Sequence, residues 1–347
     1  MSENLTASAS QSTHRYPVID LLKGYSILTI VAMHLIQLFW SHAPKLLDRA
    51  ASFGGSGVHV FLFASGFGLM LSYSRKPTRY FEFLRKRFLK IYIPYIIIVL
   101  ISAAVPFMYT GPDRIEALLS HIFLFKMFVS RYENSFGAQL WFISTIFQFY
   151  LVFIPLAKVK EKLRPIVFFL ISLMISISWW IIVAKTGLVY ERTMNSFFLQ
   201  YLWEFVLGMC VADYVSSHGG FLSVSTPKLL VCAVIGILIQ GFTGIKGGYL
   251  RLFNDIPALL GYGSLALIIC RLSIKPLRRL LLFISSISYE WYLVHVLVFT
   301  AVFCVKPADA VTELFMCILA FALSILAAWI YKKVLGRLSG LKPFQLS

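Results

Sequence analysis

The chain has 347 residues, of which 59% are hydrophobic and 14% charged, whereas a soluble domain carries about 25% charged residues. That balance excludes an ordinary soluble globular enzyme and leaves the bilayer as the solvent for most of the molecule. The formal net charge of +17 does not point to nucleic acid, because the basic residues fall in short clusters between apolar runs and form no continuous surface.

In chain order, residues 1–14 are polar and rich in Ser and Thr. They lack the basic-then-apolar order of a cleavable signal peptide and read as a disordered cytoplasmic tail. Ten apolar segments follow: Val18–Trp40, Gly57–Tyr73, Phe88–Tyr109, Ala138–Leu156, Pro165–Ala184, Phe197–Val215, Leu229–Ile245, Ile256–Leu272, Leu280–Cys304 and Ala310–Leu335. Each approaches the roughly 20 apolar residues that span a hydrocarbon core as a helix. The shorter apolar stretch Ile115–Val129 holds His121 and Lys126 and reads as interfacial or re-entrant. The expected fold is therefore an all-α, polytopic membrane protein of about ten transmembrane helices. Lys and Arg divide roughly two to one between alternating loops, which places both termini in the cytoplasm. Cys210, Cys232, Cys270, Cys304 and Cys317 all lie in apolar segments without a CxxC spacing, and no two histidines stand four apart on an expected helix. No metal site is implied.

Ionisable groups inside a span are costly and are functional candidates by default. The first span holds Asp20, Lys23 and His34. Eleven residues separate Lys23 from His34, about three helical turns, so both lie on one face with His34 ~16 Å further along. Asp20 joins the same stripe. The bland alternative is an Asp20–Lys23 pair at the helix entrance and a packing histidine. The chemical reading is that an uncharged imidazole in a low-dielectric channel serves as a base toward an alcohol or is itself transiently acylated.

Further motifs follow in order. They are Tyr16–Gly24 with His34, Gly57–Phe67 ending in Ser65-Gly66-Phe67, Arg85–Ile91 leading to Pro94, Leu140-Trp141-Phe142 with Gln148-Phe149-Tyr150, Glu204–Met209, and Ser288–His295. Together they resemble the acyltransferase 3 family of bacterial membrane proteins, in which a basic residue, ten intervening residues and a histidine open the first helix. The resemblance runs from Asp20 to His295. Three features depart from the family pattern. Lys90 stands three residues after Arg87 where a second arginine is usual, which removes one planar fork for phosphate. His59 replaces a commonly acidic residue and receives no role. Ile146 and Phe147 occupy a region often acidic in members fused to a hydrolase-like domain, and the expectation is the stand-alone type, with residues 15–340 as one transmembrane domain.

The resemblance implies an O-acetyltransferase of the bacterial inner membrane. An acetyl or other short acyl group would pass from acyl-CoA to a hydroxyl of a cell-envelope carbohydrate or lipid-linked sugar. No permanently bound cofactor is implied; acetyl-CoA is the donor substrate, and membrane lipids are the other partners. His34 is the expected catalytic residue. Lys23, Arg85, Arg87 and Lys90 would meet the phosphates of coenzyme A, although such a cluster also fixes topology and binds lipid headgroups. Asp20, Ser65, Trp141, Glu204, Glu290 and His295 are further site or pore-lining candidates. Against these stand packing at Ser65-Gly66, interfacial anchoring by Trp141 and simple pairing for Glu204 and His295. The competing class is a transporter or flippase for a polyprenyl-linked sugar. No internal repeat of the kind common in transporters is evident.

Overall fold

The computed structural model describes residues 16–221, 223–272 and 274–339. The expected tail at 1–14 lies outside them. Every regular element among the described residues is helical. In the bilayer core a helix satisfies each backbone N–H and C=O within its own segment.

Helix α1 (Pro17–Phe39) opens with a proline in its first turn, where the missing N–H costs nothing. A short α2 (Lys45–Ala51) and a 3₁₀ turn (Ser52–Ser56) lead into α3 (Gly57–Arg75). Next come α4 (Tyr80–Ala104), the nine-residue α5 (Arg114–Ile122), α6 (Trp141–Lys162) and α7 (Pro165–Thr186). The chain continues through α8 (Arg192–Asn195), a 3₁₀ turn (Phe198–Tyr201), α9 (Leu202–His218), α10 (Thr226–Lys246) and α11 (Asp255–Leu272). It closes with α12 (Lys275–Ser286), α13 (Ser288–Val302) and α14 (Ala310–Ser339). Gly187 and Gly219 end α7 and α9 in the left-handed conformation, the usual glycine stop.

All ten expected apolar segments are helical, and seven helices among the described residues are long and apolar enough to cross a membrane. The pair α12–α13 makes an eighth if it counts as one span, but it is bent by 78°. The single straight helix expected over Leu280–Cys304 is thus corrected. Leu277, Leu281 and Ile284 point inward from α12 while Arg278 and Arg279 are exposed, a one-sided pattern that lays a helix along an interface. The third span also begins earlier than expected, at Tyr80, so Arg85, Arg87 and Lys90 are helical residues. It stops at Ala104 because Pro106 disfavours helix at the residue before it. The stretch 115–129 forms α5 and short 3₁₀ turns and does not span, as expected. It folds around buried Lys126, which donates to the carbonyls of Ser135 (2.9 Å) and Gly137 (2.8 Å). That packing delivers Gln139 and Trp141 to the start of α6.

Helices α3 and α9 pack closely through reciprocal glycines. A side chain at Gly66 would collide with the Phe205 carbonyl, and one at Gly208 with that of Phe63. Small residues allow such backbone approach in lipid. At the far end of α1, Glu313 of α14 accepts hydrogen bonds from the Ser41 N–H and Oγ and the His42 N–H and Nδ1, tying the two helices together.

Candidate functional site

A cavity of about 780 Å³ runs between the helices. Lys23, Ile91, Tyr150 and Tyr289 line one end, and Ser65, His34, Trp141 and Tyr292 line its middle. Gln240, Arg251 and Asp255 belong to the other end. Lys23 lies near the start of α1, whereas Asp255 opens α11 and Gln240 lies in the second half of α10 and bonds Ser56, beyond the other end of α1 in the chain. The cavity therefore extends along most of α1. His34 sits about 9 Å beyond the midpoint of that helix, away from Lys23.

His34 faces His295 of α13 with stacked rings, and its Nδ1 is 3.0 Å from His295 Nε2. His295 is fully buried, and its Nδ1 lies 2.9 Å from the Trp291 carbonyl oxygen. The carbonyl can only accept, so His295 Nδ1 carries the proton and its Nε2 holds a lone pair. His34 must then donate from Nδ1, which leaves a lone pair on His34 Nε2. A carbonyl-anchored histidine thereby selects the tautomer that presents a base. Arg192 is close enough for its charge to act on His34. Its guanidinium stacks on Trp141 at 4.9 Å and donates to Glu133 at 3.1 Å.

The basic residues of α4 divide by face. Ile91 lines the cavity, and Arg87, four residues earlier, lies within ~40° of it around the helix. Arg87 is half-buried, sits 5.6 Å above the Phe83 ring, and its charge reaches cavity-lining Tyr150. Lys90 is exposed, on the flank, with its charge acting on Glu290. Arg85 is exposed and turned ~120° from Ile91. Asp20 is half-buried near the start of α1, and Glu290 half-buried on α13. The structure thus brings Lys23, His34, Ser65 and Trp141 to the lining of one cavity, with His295 hydrogen-bonded to His34. Arg87 is nearby, and Arg85 is set apart.

Sequence reasoning assigned His59 nothing, yet it sits in a buried acidic setting. Its Nδ1 is 3.1 Å from Glu204 Oε2 and its Nε2 3.4 Å from Asp255 Oδ1. Glu204 is fully buried behind it, so the pairing reading of Glu204 is the one that the geometry supports. The available signal was the seven-residue spacing to Gly66, which puts His59 on the face that meets α9. Arg192, Gln240 and Asp255 had no comparable signal. No group of three or more His, Cys, Asp or Glu among the described residues forms a metal site.

The family model of acyltransferase 3, described as an acyltransferase domain, matches residues 16–332. No curated protein matches the chain, and no solved structure does.

Proposed function

The chain belongs to the acyltransferase 3 family, and from that premise we propose that it moves an acetyl or short acyl group from acyl-CoA to a hydroxyl of a cell-envelope carbohydrate, from the bacterial inner membrane. The observation that carries this reading is the shared cavity of Lys23 and His34. Coenzyme A combines phosphates at one end with a long, mostly uncharged arm that ends in the thioester. Lys23, in the cavity lining, and Arg87, near it, would hold phosphate at a cytoplasmic mouth. The ~16 Å from Lys23 to His34 along α1 is the path that the arm would take.

At His34 the alcohol gives its proton to Nε2 while its oxygen bonds to the thioester carbonyl carbon. The oxyanion falls within reach of the Arg192 charge. Collapse breaks the carbon–sulfur bond, and the imidazolium returns the proton to the thiolate, giving ester and free coenzyme A thiol. Transient acylation of Nε2 uses the same lone pair. During either route, His295 accepts from Nδ1–H and stabilises the imidazolium.

Mass spectrometry of envelope glycans with and without the protein tests this reading. A gain of one acyl unit per modified sugar supports it. Unchanged glycans, with sugar translocation by the purified protein and no acetyl-CoA binding, would establish the transporter class instead.

A further inference from the structure

Around its axis, helix α12 carries three sectors of different chemistry, and the fold uses one of them. Leu277, Leu281 and Ile284 fall within ~60° of one another at 100° per residue and turn into the protein, Leu281 and Ile284 being buried. This sector crosses α1 at Gly24, where a side chain would collide with the Leu281 carbonyl. Leu280 and Phe283 form a second sector and are 49% and 42% exposed. Lys275, Arg278 and Arg279 form the third, spread over ~100°, and all three are exposed. The two exposed sectors meet where Phe283 and Arg279 lie ~40° apart. The helix has no acidic residue, and among the described residues no side chain pairs with its three cations. Glu290, the nearest acidic residue along the chain, has Lys90 and Lys332 as its charge partners.

The depth of α12 points to what covers these sectors. Glu313 of α14 is tied to the far end of α1, and nineteen residues later Lys332 of α14 donates to the Ser286 carbonyl at the end of α12. That length of helix covers about 28 Å, against a hydrocarbon core of about 30 Å. Helix α12 thus lies at the edge of the apolar layer, on the Lys23 side, and the 78° bend turns it across the direction of α13. An apolar strip beside a cationic strip, on a helix in that plane, is the pattern of a segment seated among lipid headgroups. A soluble anion would leave Leu280 and Phe283 without a partner. The phosphates of a donor in the cavity would have to reach outside it, because no residue of α12 is in the cavity lining.

We infer that α12 is a docking surface for anionic phospholipid. Lys275, Arg278 and Arg279 meet the headgroup charge, and Leu280 and Phe283 enter the acyl chains. The surface adjoins the Lys23 end of the cavity through the Gly24 crossing and is separate from the cavity itself.

Native mass spectrometry of the full-length protein in detergent tests this by measuring association constants for phosphatidylglycerol and phosphatidylcholine with identical chains. Each cation near a headgroup is worth about fivefold, so the wild type should prefer phosphatidylglycerol by tenfold or more. Arg278→Gln with Arg279→Gln should lose about 25-fold in phosphatidylglycerol affinity and keep its phosphatidylcholine affinity, which checks the fold. Arg278→Lys with Arg279→Lys should keep the preference. Lys158→Gln with Lys162→Gln, which removes two exposed cations at the end of α6, should bind both lipids like the wild type. The inference is overturned if the wild type shows no preference, if the double Gln variant of α12 keeps it, or if the α6 variant loses as much. Loss of acetyl-CoA affinity by the α12 variant, measured by calorimetry, with phosphatidylglycerol binding intact would overturn it too and assign these cations to the donor.

Discussion

Replacing His295 by Phe isolates the role given to the histidine pair. Phe fits the site sterically, because the ring already packs against Phe299 at 5.7 Å between centroids. The substitution removes the Nε2 lone pair that lies 3.0 Å from His34 Nδ1. In the transition state that contact is a hydrogen bond from a charged donor, worth about 1.5–3 kcal/mol. At about 1.4 kcal/mol per factor of ten, kcat should fall about 10- to 150-fold. KM for acetyl-CoA should stay unchanged, since His295 does not line the donor path. The assay is release of coenzyme A thiol followed with a chromogenic thiol reagent. His295→Gln places an amide oxygen where Nε2 was and should recover most of the rate. A Phe variant at the wild-type rate, or a Gln variant no better than Phe, would refute the tautomer argument.

Arg87→Ala should raise KM for acetyl-CoA about 10- to 100-fold through loss of a charge-assisted contact, while Arg85→Ala on the other face of α4 leaves it unchanged; steady-state kinetics of the two variants side by side separates donor binding from lipid anchoring. Gly208→Val drives a side chain into the Phe63 backbone and should destabilise the protein by about 3 kcal/mol, seen as a lower thermal midpoint in detergent. Lys126 lies outside the membrane-spanning helices, and burial pushes its ammonium from 10.5 down to about 7. Between those values the unfolded chain binds the proton and the folded one does not, so stability should rise with pH through that window. From pH 7 to pH 9 the gain is about 2–3 kcal/mol in the wild type and absent in Lys126→Met, which melting curves at the two pH values would show.

The apolar segments could be read from sequence because hydropathy is a local property, and all ten are largely helical, although Leu280–Cys304 is two helices and seven or eight spans, not ten, meet the length and hydropathy of a crossing among the described residues. The 78° bend at Ile287 was not visible, since apolar residues continue on both sides of Ser285 and Ser286 and only the lie of Arg278 and Arg279 reveals the interfacial turn. Lys23 and His34 could be paired because they share one helix. The His34–His295 contact joins residues 261 apart and the His59–Glu204 contact residues 145 apart. One chain's periodicity says nothing about which faces meet across such distances. His59 went unassigned for that reason.

The central claim is that donor and acceptor react at His34. The most direct measurement is transfer from radiolabelled acetyl-CoA by purified His34→Ala in nanodiscs, alongside its acetyl-CoA affinity. The account predicts binding like the wild type with no labelled ester formed. Wild-type rates of ester formation by that variant would contradict it.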